Sequence, residues 1–286
     1  MASRSRLLAL IVAGVVVAAT GCAPQKESPT PTDTASPSCA KDSLPTRTPG
    51  KLTIATDQPA YEPWFRKDKP DSGEGFEAAV AYAVAEKLGY ARSDVTWTRV
   101  KFDTAIAPGE KNFDFDINQF SVTEERKQAV DFSAPYYLVR QTVIALKSSK
   151  IAGKTSLADL RGAKLGAQVG TTSYQAITDV IKPAGKPQVY NSNDDAKKAL
   201  QNGQIDGLVV DLPTAFYITG AEITDATIVG QVPQVGVPEA FGLLLDKNSP
   251  LTRCVSGAVG QLSEAGTLTE LEQKWLAQVA GAAELR

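Results

Sequence analysis

The chain has 286 residues, enough for one large domain or two of ordinary size, and 43% of them are hydrophobic, ample for a packed core. Its 30 basic and 32 acidic residues leave a net charge of −2, which argues against a nucleic-acid partner, since that would need a basic face to neutralise phosphates. Histidine is absent and cysteines number three, so His-based triads, HExxH zinc sites and four-thiolate zinc sites are excluded; no metal or cofactor is expected.

In chain order, Arg4 and Arg6 precede Leu7–Ala19, an unbroken small and apolar run of 13 residues. That falls short of the roughly 20 needed to span a bilayer. A basic start, a short apolar run and small residues before Cys22 predict a signal peptide over residues 1–21. Ala19-Thr20-Gly21-Cys22 resembles the lipobox of bacterial lipoproteins. The resemblance implies that Cys22 carries lipid on its sulfur and becomes the first residue, leaving a net charge of −4. The expected location is therefore the extracytoplasmic face of the cell membrane, held by lipid alone. Residues 23–49 carry six prolines and nine Ser or Thr, and hardly an apolar side chain. Such a stretch cannot offset its ordering entropy, so residues 22–50 are expected to form a disordered tether. An exported chain meets an oxidising compartment, where Cys39 and Cys254 are expected to pair.

From Lys51 onward, strand and helix patterns alternate. Leu52–Thr56 is a short apolar strand. Phe76–Leu88, bracketed by Gly75 and Gly89, has its apolar residues at helical spacing. Val95–Val100 and Asp114–Gln119 read as strands, and Thr123 caps a short helix over Glu124–Ala129. Gln141–Lys147 and Leu165–Val169 are strands, Tyr174–Ile181 and Asp194–Gln201 helices, and Ile205–Val210 a buried strand. Phe241–Leu245 is the last strand, before helices Leu251–Glu264 and Leu268–Val279. This alternation predicts α/β layers with mainly parallel sheets and helices on both faces, in two lobes.

Gly153-Lys154-Thr155 is no phosphate loop, because Ser148 stands where the first glycine belongs. Three other clusters carry more. In Gln119-Phe120-Ser121-Val122-Thr123-Glu124-Glu125-Arg126, a strand ends and an arginine sits in a helix's first turn, where the dipole disfavours a cation. Arg126 either pairs with Glu124 or Glu125 in solvent, or aims its planar fork at a carboxylate. Gln168-Val169-Gly170-Thr171-Thr172-Ser173 is either an ordinary helix cap or an amide-lined anion pocket. Asp211 follows Leu208-Val209-Val210, at the carboxyl end of a strand where α/β proteins place ligands; it also suits a routine cap. Together they hold an arginine and amides for an anion and a carboxylate for a cation, the complement of an α-amino acid zwitterion.

Gly75-Phe76-Glu77, Ser121-x-Thr123-x-Glu125-Arg126 and Val130-Asp131-Phe132-Ser133-x-Pro135-Tyr136 resemble the signature of the family 3 solute-binding proteins. Asp159-Leu160-x-Gly162, Gly170-Thr171-Thr172 and Asp211 continue it in order, over roughly Lys51 to Leu276. These are the amino-acid-binding lipoproteins of ABC importers, the glutamine-binding proteins among them. Glu77 stands where Asp is usual, and Gln119 where small residues are common.

The resemblance implies a monomeric two-lobed receptor of the periplasmic-binding-protein-like fold with two hinge crossings. Residues 51–138 and 239–286 would form one lobe and 139–238 the other. Arg126 would hold the ligand carboxylate, helped by the N–H groups of Ser121 and Thr172 beside Thr171. Asp211 would take the ammonium, with the Gln119 carbonyl and Ser121 hydroxyl nearby. Asp57, Tyr61 and Gln168 would face the side chain, with glutamine or asparagine first. Acidic amino acids stay open through Lys101 or Arg140. Trp64 and Phe65 fit lobe packing at least as well as a site. The partner would be an ABC permease. The rival reading is a secreted dehydratase-like enzyme on the same fold, which without histidine would need a Glu, Asp or Lys as general acid.

Overall fold

The computed structural model describes residues 38–277 and 281–286; the expected signal peptide, Cys22 and the start of the expected tether lie outside the described residues. Leu52–Thr56 forms β1, and four of its five side chains are buried, as suits a strand with parallel neighbours on both sides. There follow α1 (Phe76–Lys87), β2 (Val95–Arg99), α2 (Phe102–Ile106), β3 (Phe115–Asp116) and β4 (Asp131–Leu138). The chain crosses at Val139 and Arg140 into β5 (Gln141–Leu146), β6 (Leu165–Gln168), α3 (Thr172–Gln175), β7 (Gln188–Tyr190) and α4 (Asn193–Gln201). Next come β8 (Gly207–Asp211), α5 (Leu212–Tyr217) and β9 (Ala226–Gln231). A second crossing, residues 232–239, returns to β10 (Ala240–Leu245), α6 (Thr252–Glu264) and α7 (Thr267–Trp275).

Among the described residues two five-stranded sheets result, ordered β2-β1-β3-β10-β4 and β7-β6-β8-β5-β9. Four strands of each sheet run one way. The exception is β10 in the first and β5 in the second, in each case the strand entered straight from a crossing. Each sheet has its own core: Leu52, Ile54, Phe115 and Leu243 in the first, Val143, Leu165, Val209 and Ile177 in the second. The expected two-lobed α/β organisation is thus present. Gly75 shows why one motif position needs glycine. Its φ is 103°, and a Cβ there would lie 2.4 Å from the Trp64 carbonyl oxygen.

Several elements depart from the sequence expectation. β4 is a strand despite Pro135, because it lies at the sheet edge, where a missing N–H breaks no second ladder. The strand expected over Asp114–Gln119 shrinks to β3, since Gln119 turns into the left-handed region at φ 47°. The short helix at Glu124–Ala129 is a single 3₁₀ turn, Arg126–Gln128. Its opening follows expectation: the Arg126 N–H donates to Thr123 Oγ1 at 3.1 Å.

Residues 38–50, expected as the end of a disordered tether, are folded against the first sheet. Leu44 is buried in its core, and the Arg47 N–H donates to Asp114 Oδ1 at 2.8 Å. Cys39 is bonded to Cys254 on α6, as expected, with Cα atoms 5.4 Å apart. At the other end, residues 282–286 leave the first lobe, to which sequence assigned them. Leu285 is buried in the second core, and its N–H donates to the Gln231 carbonyl at 2.9 Å. The disulfide closes a 215-residue separation, for which chain entropy gives an upper figure of about 5 kcal/mol. Cys39→Ser is expected to lower the unfolding free energy by about 2–5 kcal/mol, read from urea unfolding curves with the slope fitted for each protein. A loss below about 0.5 kcal/mol would show that Leu44 and Arg47 hold the segment without the bridge.

Candidate functional site

A pocket lies between the two sheets. Asp57, Tyr61, Phe102, Asn118, Gln119 and Arg126 line it from the first lobe. Gln168, Thr171, Thr172, Ser173, Asn193 and Asp211 face them from the second. Direct bonds span the cleft: Arg126 Nη2 donates to the Gly170 carbonyl at 2.9 Å, and Trp64 Nε1 to Thr214 Oγ1 at 2.9 Å. At the rim, Lys197 Nζ sits 5.4 Å from the centre of the Tyr61 ring. The lobes are therefore closed on one another.

Arg126 begins the 3₁₀ turn and is 9% exposed. Its Nη1 donates to the Ser121 carbonyl at 2.7 Å, and its guanidinium lies 5.3 Å from the centre of the Phe102 ring. Burial pulls its pKa down, opposed by the charges of Glu239 and Asp211; arginine nonetheless stays charged. It does not pair with Glu124, which bonds Lys127 at 2.7 Å in solvent. The planar fork is thus held inside the cleft.

Asp211 stands at the N-cap position of α5 but makes no side-chain cap bond. Its Oδ1 instead accepts from Gln141 Nε2 at 2.8 Å. Desolvation, then the neighbouring Glu239 charge, push its pKa up to about 8. Gln119, opposite, is held in its left-handed conformation by the fully buried Glu77, which accepts from the Gln119 N–H at 2.7 Å. Glu77 also accepts from Gln119 Nε2 and from the Tyr136 hydroxyl. Its desolvation raises its pKa to about 7, with these bonds opposing. The Gln119 side chain is thereby engaged inside the first lobe.

Residues 52–278 match the bacterial extracellular solute-binding proteins, family 3. The chain belongs to this family. Among relatives, the ABC transporter glutamine-binding protein GlnH of Bacillus subtilis (strain 168) is 27% identical over 226 residues, covering 74% of this chain and 77% of the relative. Among solved structures, an ancestral arginine-binding protein bound to glutamine has a TM-score of 0.67 and 31% identity, covering 80% of this chain and 98% of that one. An ancestral amino acid-binding protein, a precursor of cyclohexadienyl dehydratase, has a TM-score of 0.64 and 31% identity, covering 79% and 95%.

In this solute-binding protein the expected site residues come together. Asp57, Tyr61, Gln119, Arg126, Gln168, Thr171, Thr172 and Asp211 all line the pocket. Ser121 lies beside it, its Oγ 3.1 Å from Thr172 Oγ1 across the cleft. Thr171 is chiefly a cap: its hydroxyl accepts from the Tyr174 N–H and donates to the Gln168 carbonyl. Asp57 accepts from the N–H groups of Gln58 at 2.6 Å and Phe102 at 3.3 Å. Burial raises its pKa. Neither Lys101 nor Arg140 lines the pocket; Arg140 turns to Gln234 at 2.8 Å and pairs with Glu284. Trp64 and Phe65 are fully buried in the first core. Sequence reading missed Phe102, Asn118, Ser173 and Asn193. Asn118 adjoins Gln119, and Ser173 ends the glycine-hydroxyl run Gln168–Ser173. Asn193 follows β7, a three-residue edge strand with no apolar pattern to announce it.

Proposed function

We propose that this solute-binding protein is an extracytoplasmic receptor that encloses one polar amino acid between its lobes and delivers it to an ABC importer permease. The observation that carries the reading is a closed pocket with Arg126 on one lobe and Asp211 on the other. Arg126 takes the ligand carboxylate, aided by the N–H groups of Ser121 and Thr172 beside Thr171. Asp211 takes the ammonium, with the Gln119 carbonyl and the Ser121 hydroxyl beside it. Tyr61 and Phe102 flank the ligand's side chain, and Asp57, Asn118, Gln168 and Asn193 supply its polar partners. Lobe closure about residues 139–140 and 232–239 completes the clamp. Cys22 carries the lipid anchor, and the residues after it tether the receptor to the membrane. Among the described residues no helix is long and apolar enough to cross a bilayer.

A carboxamide side chain satisfies this set of amides and carboxylate best, so glutamine and asparagine lead. Arginine is the second reading, because Asp57 is the charged group left facing the side chain once Arg126 and Asp211 hold the zwitterion. Acidic amino acids are disfavoured, since Lys101 and Arg140 stay outside. The protein performs no chemistry in this reading: Arg126 and Asp211 are engaged by the zwitterion, and Asp57 accepts from the Gln58 and Phe102 N–H groups. Calorimetry across the twenty amino acids, with an ultraviolet assay on prephenate-like acids, tests it. Heat from glutamine or arginine, none from glutamate and no aromatic product are expected. Turnover without amino-acid binding would reverse the reading in favour of a dehydratase.

A further inference from the structure

Two polar side chains outside the expected set join the clamp to the hinge. Gln141 is the first residue after the first crossing and stands in register with Asp211 across β5 and β8. It is 5% exposed. Its Nε2 lies 2.8 Å from Asp211 Oδ1 and 3.1 and 3.2 Å from the two carboxylate oxygens of Glu239. Its Oε1 accepts from Ser173 Oγ at 2.7 Å. Glu239 is the last residue of the second crossing, and its Oε1 also accepts from Ser121 Oγ at 2.6 Å. With that proton committed, Thr172 is the donor in the Ser121–Thr172 contact.

Their backbones bind the crossings together as well. The Val139 N–H donates to the Glu239 carbonyl at 3.0 Å, and the Val232 N–H to the Gln141 carbonyl at 2.8 Å. Each residue thus grips the opposite crossing through its main chain. Through its side chain, Gln141 grips Asp211 on the second lobe and Glu239 grips Ser121 on the first. Movement of one crossing against the other displaces both halves of the proposed ammonium site.

We propose that Gln141 and Glu239 are hinge-borne positioning residues that set the geometry and charge of the ammonium subsite only when the lobes are closed. This rests on the amino-acid-binding reading above. Gln141 supplies the donor that lets Asp211 sit beside Glu239, since two carboxylates at one site repel unless something lies between them. The charged and titratable groups facing Asp211 are Glu239 at the head of β10, Glu77 on α1, Arg126, and the hydroxyls of Tyr136 and Tyr137 on β4. Of these, Glu239 adds most to the upward push after desolvation, and the Gln141 bond is the leading opposing influence.

The two residues therefore act on Asp211 in opposite directions, which a purely structural hinge role does not predict. The test uses the soluble chain from Ala23 onward, titrated with L-glutamine and L-arginine from pH 5.5 to 8.5. Glu239→Gln removes the neighbouring charge, so the acid limb of the affinity profile moves to lower pH. Gln141→Leu removes the donor, so the limb moves to higher pH and affinity at pH 7 falls about tenfold. Gln141→Asn, which keeps the amide but shortens its reach, is expected to move the limb the same way and covers the case in which the leucine variant does not fold. Limbs that coincide with wild type in the folded variants, with affinities within about twofold, overturn the hinge proposal while leaving amino-acid binding intact. A wild-type protein that binds neither amino acid overturns the binding reading itself, and this proposal with it.

Discussion

Replacing Arg126 with alanine is expected to weaken amino-acid affinity by at least about a hundredfold. The guanidinium is nearly fully buried and already spans the cleft between the Ser121 and Gly170 carbonyls. A ligand carboxylate entering a site without it would be buried against amides alone. Truncating one partner of a buried charge pair costs about 3–5 kcal/mol, most of it the stranded opposite charge. Arg126→Ala also loses the bond to Gly170, so the ligand-free lobes should open more readily. Small-angle scattering should record a larger radius of gyration. Arg126→Lys should not restore binding, because an ammonium cannot serve the two carbonyls and a carboxylate with the same planar fork. For wild type, decarboxylated glutamine should bind as poorly as glutamine binds to the alanine variant. Affinities within about twofold of wild type in folded Arg126→Ala would remove this residue from the clamp.

The sequence made the scaffold legible where local chemistry and tertiary environment agree. β1 and α1 begin where expected because an apolar run and a glycine requiring positive φ have few alternatives. β4 was hidden by Pro135, whose exclusion from strands is lifted only at a sheet edge. The tether expectation failed at its end because composition averages over 27 residues, while Leu44, Cys39 and Arg47 each engage the first lobe individually. In the site, residues beside a strand end were readable, since topology alone delivers them to the cleft. Gln141 and Glu239 were not, because they stand 98 positions apart and meet only where two crossings lie side by side. Glu77 stands where Asp is usual, yet its work is to fix the backbone of Gln119, which no local pattern reveals.

Asp211→Asn is expected to give two effects of opposite sign. Asparagine keeps an oxygen for Gln141 Nε2 but carries no charge, so the ligand's ammonium loses its counter-ion and affinity at pH 8 should fall by about a hundredfold. In wild type, the ligand-free carboxyl is pushed up to about 8, whereas the bound ammonium favours its ionised form. Binding below pH 8 therefore releases a proton, and wild-type affinity should drop by up to about tenfold per pH unit between 8 and 6. The variant's profile should be flatter over that range. Stability runs the other way. The folded, ligand-free protein holds a proton on Asp211 that the unfolded chain gives up near the ordinary value of 3.8. Between those limits the native state binds more protons, so this group's contribution to stability declines as pH rises from about 4 to 8, and is level above. Asparagine removes that decline, and the ligand-free variant should melt above wild type at pH 8 by about 2–4 °C for each kcal/mol recovered. Melting scans at pH 5 and pH 8 read the difference directly, with the gap between the proteins widening toward pH 8. An Asp211→Asn variant that binds within about twofold of wild type at pH 8 would mean that this carboxyl is not the ammonium partner, and one that melts below wild type there would mean that it is not a charge the closed cleft bears at a cost.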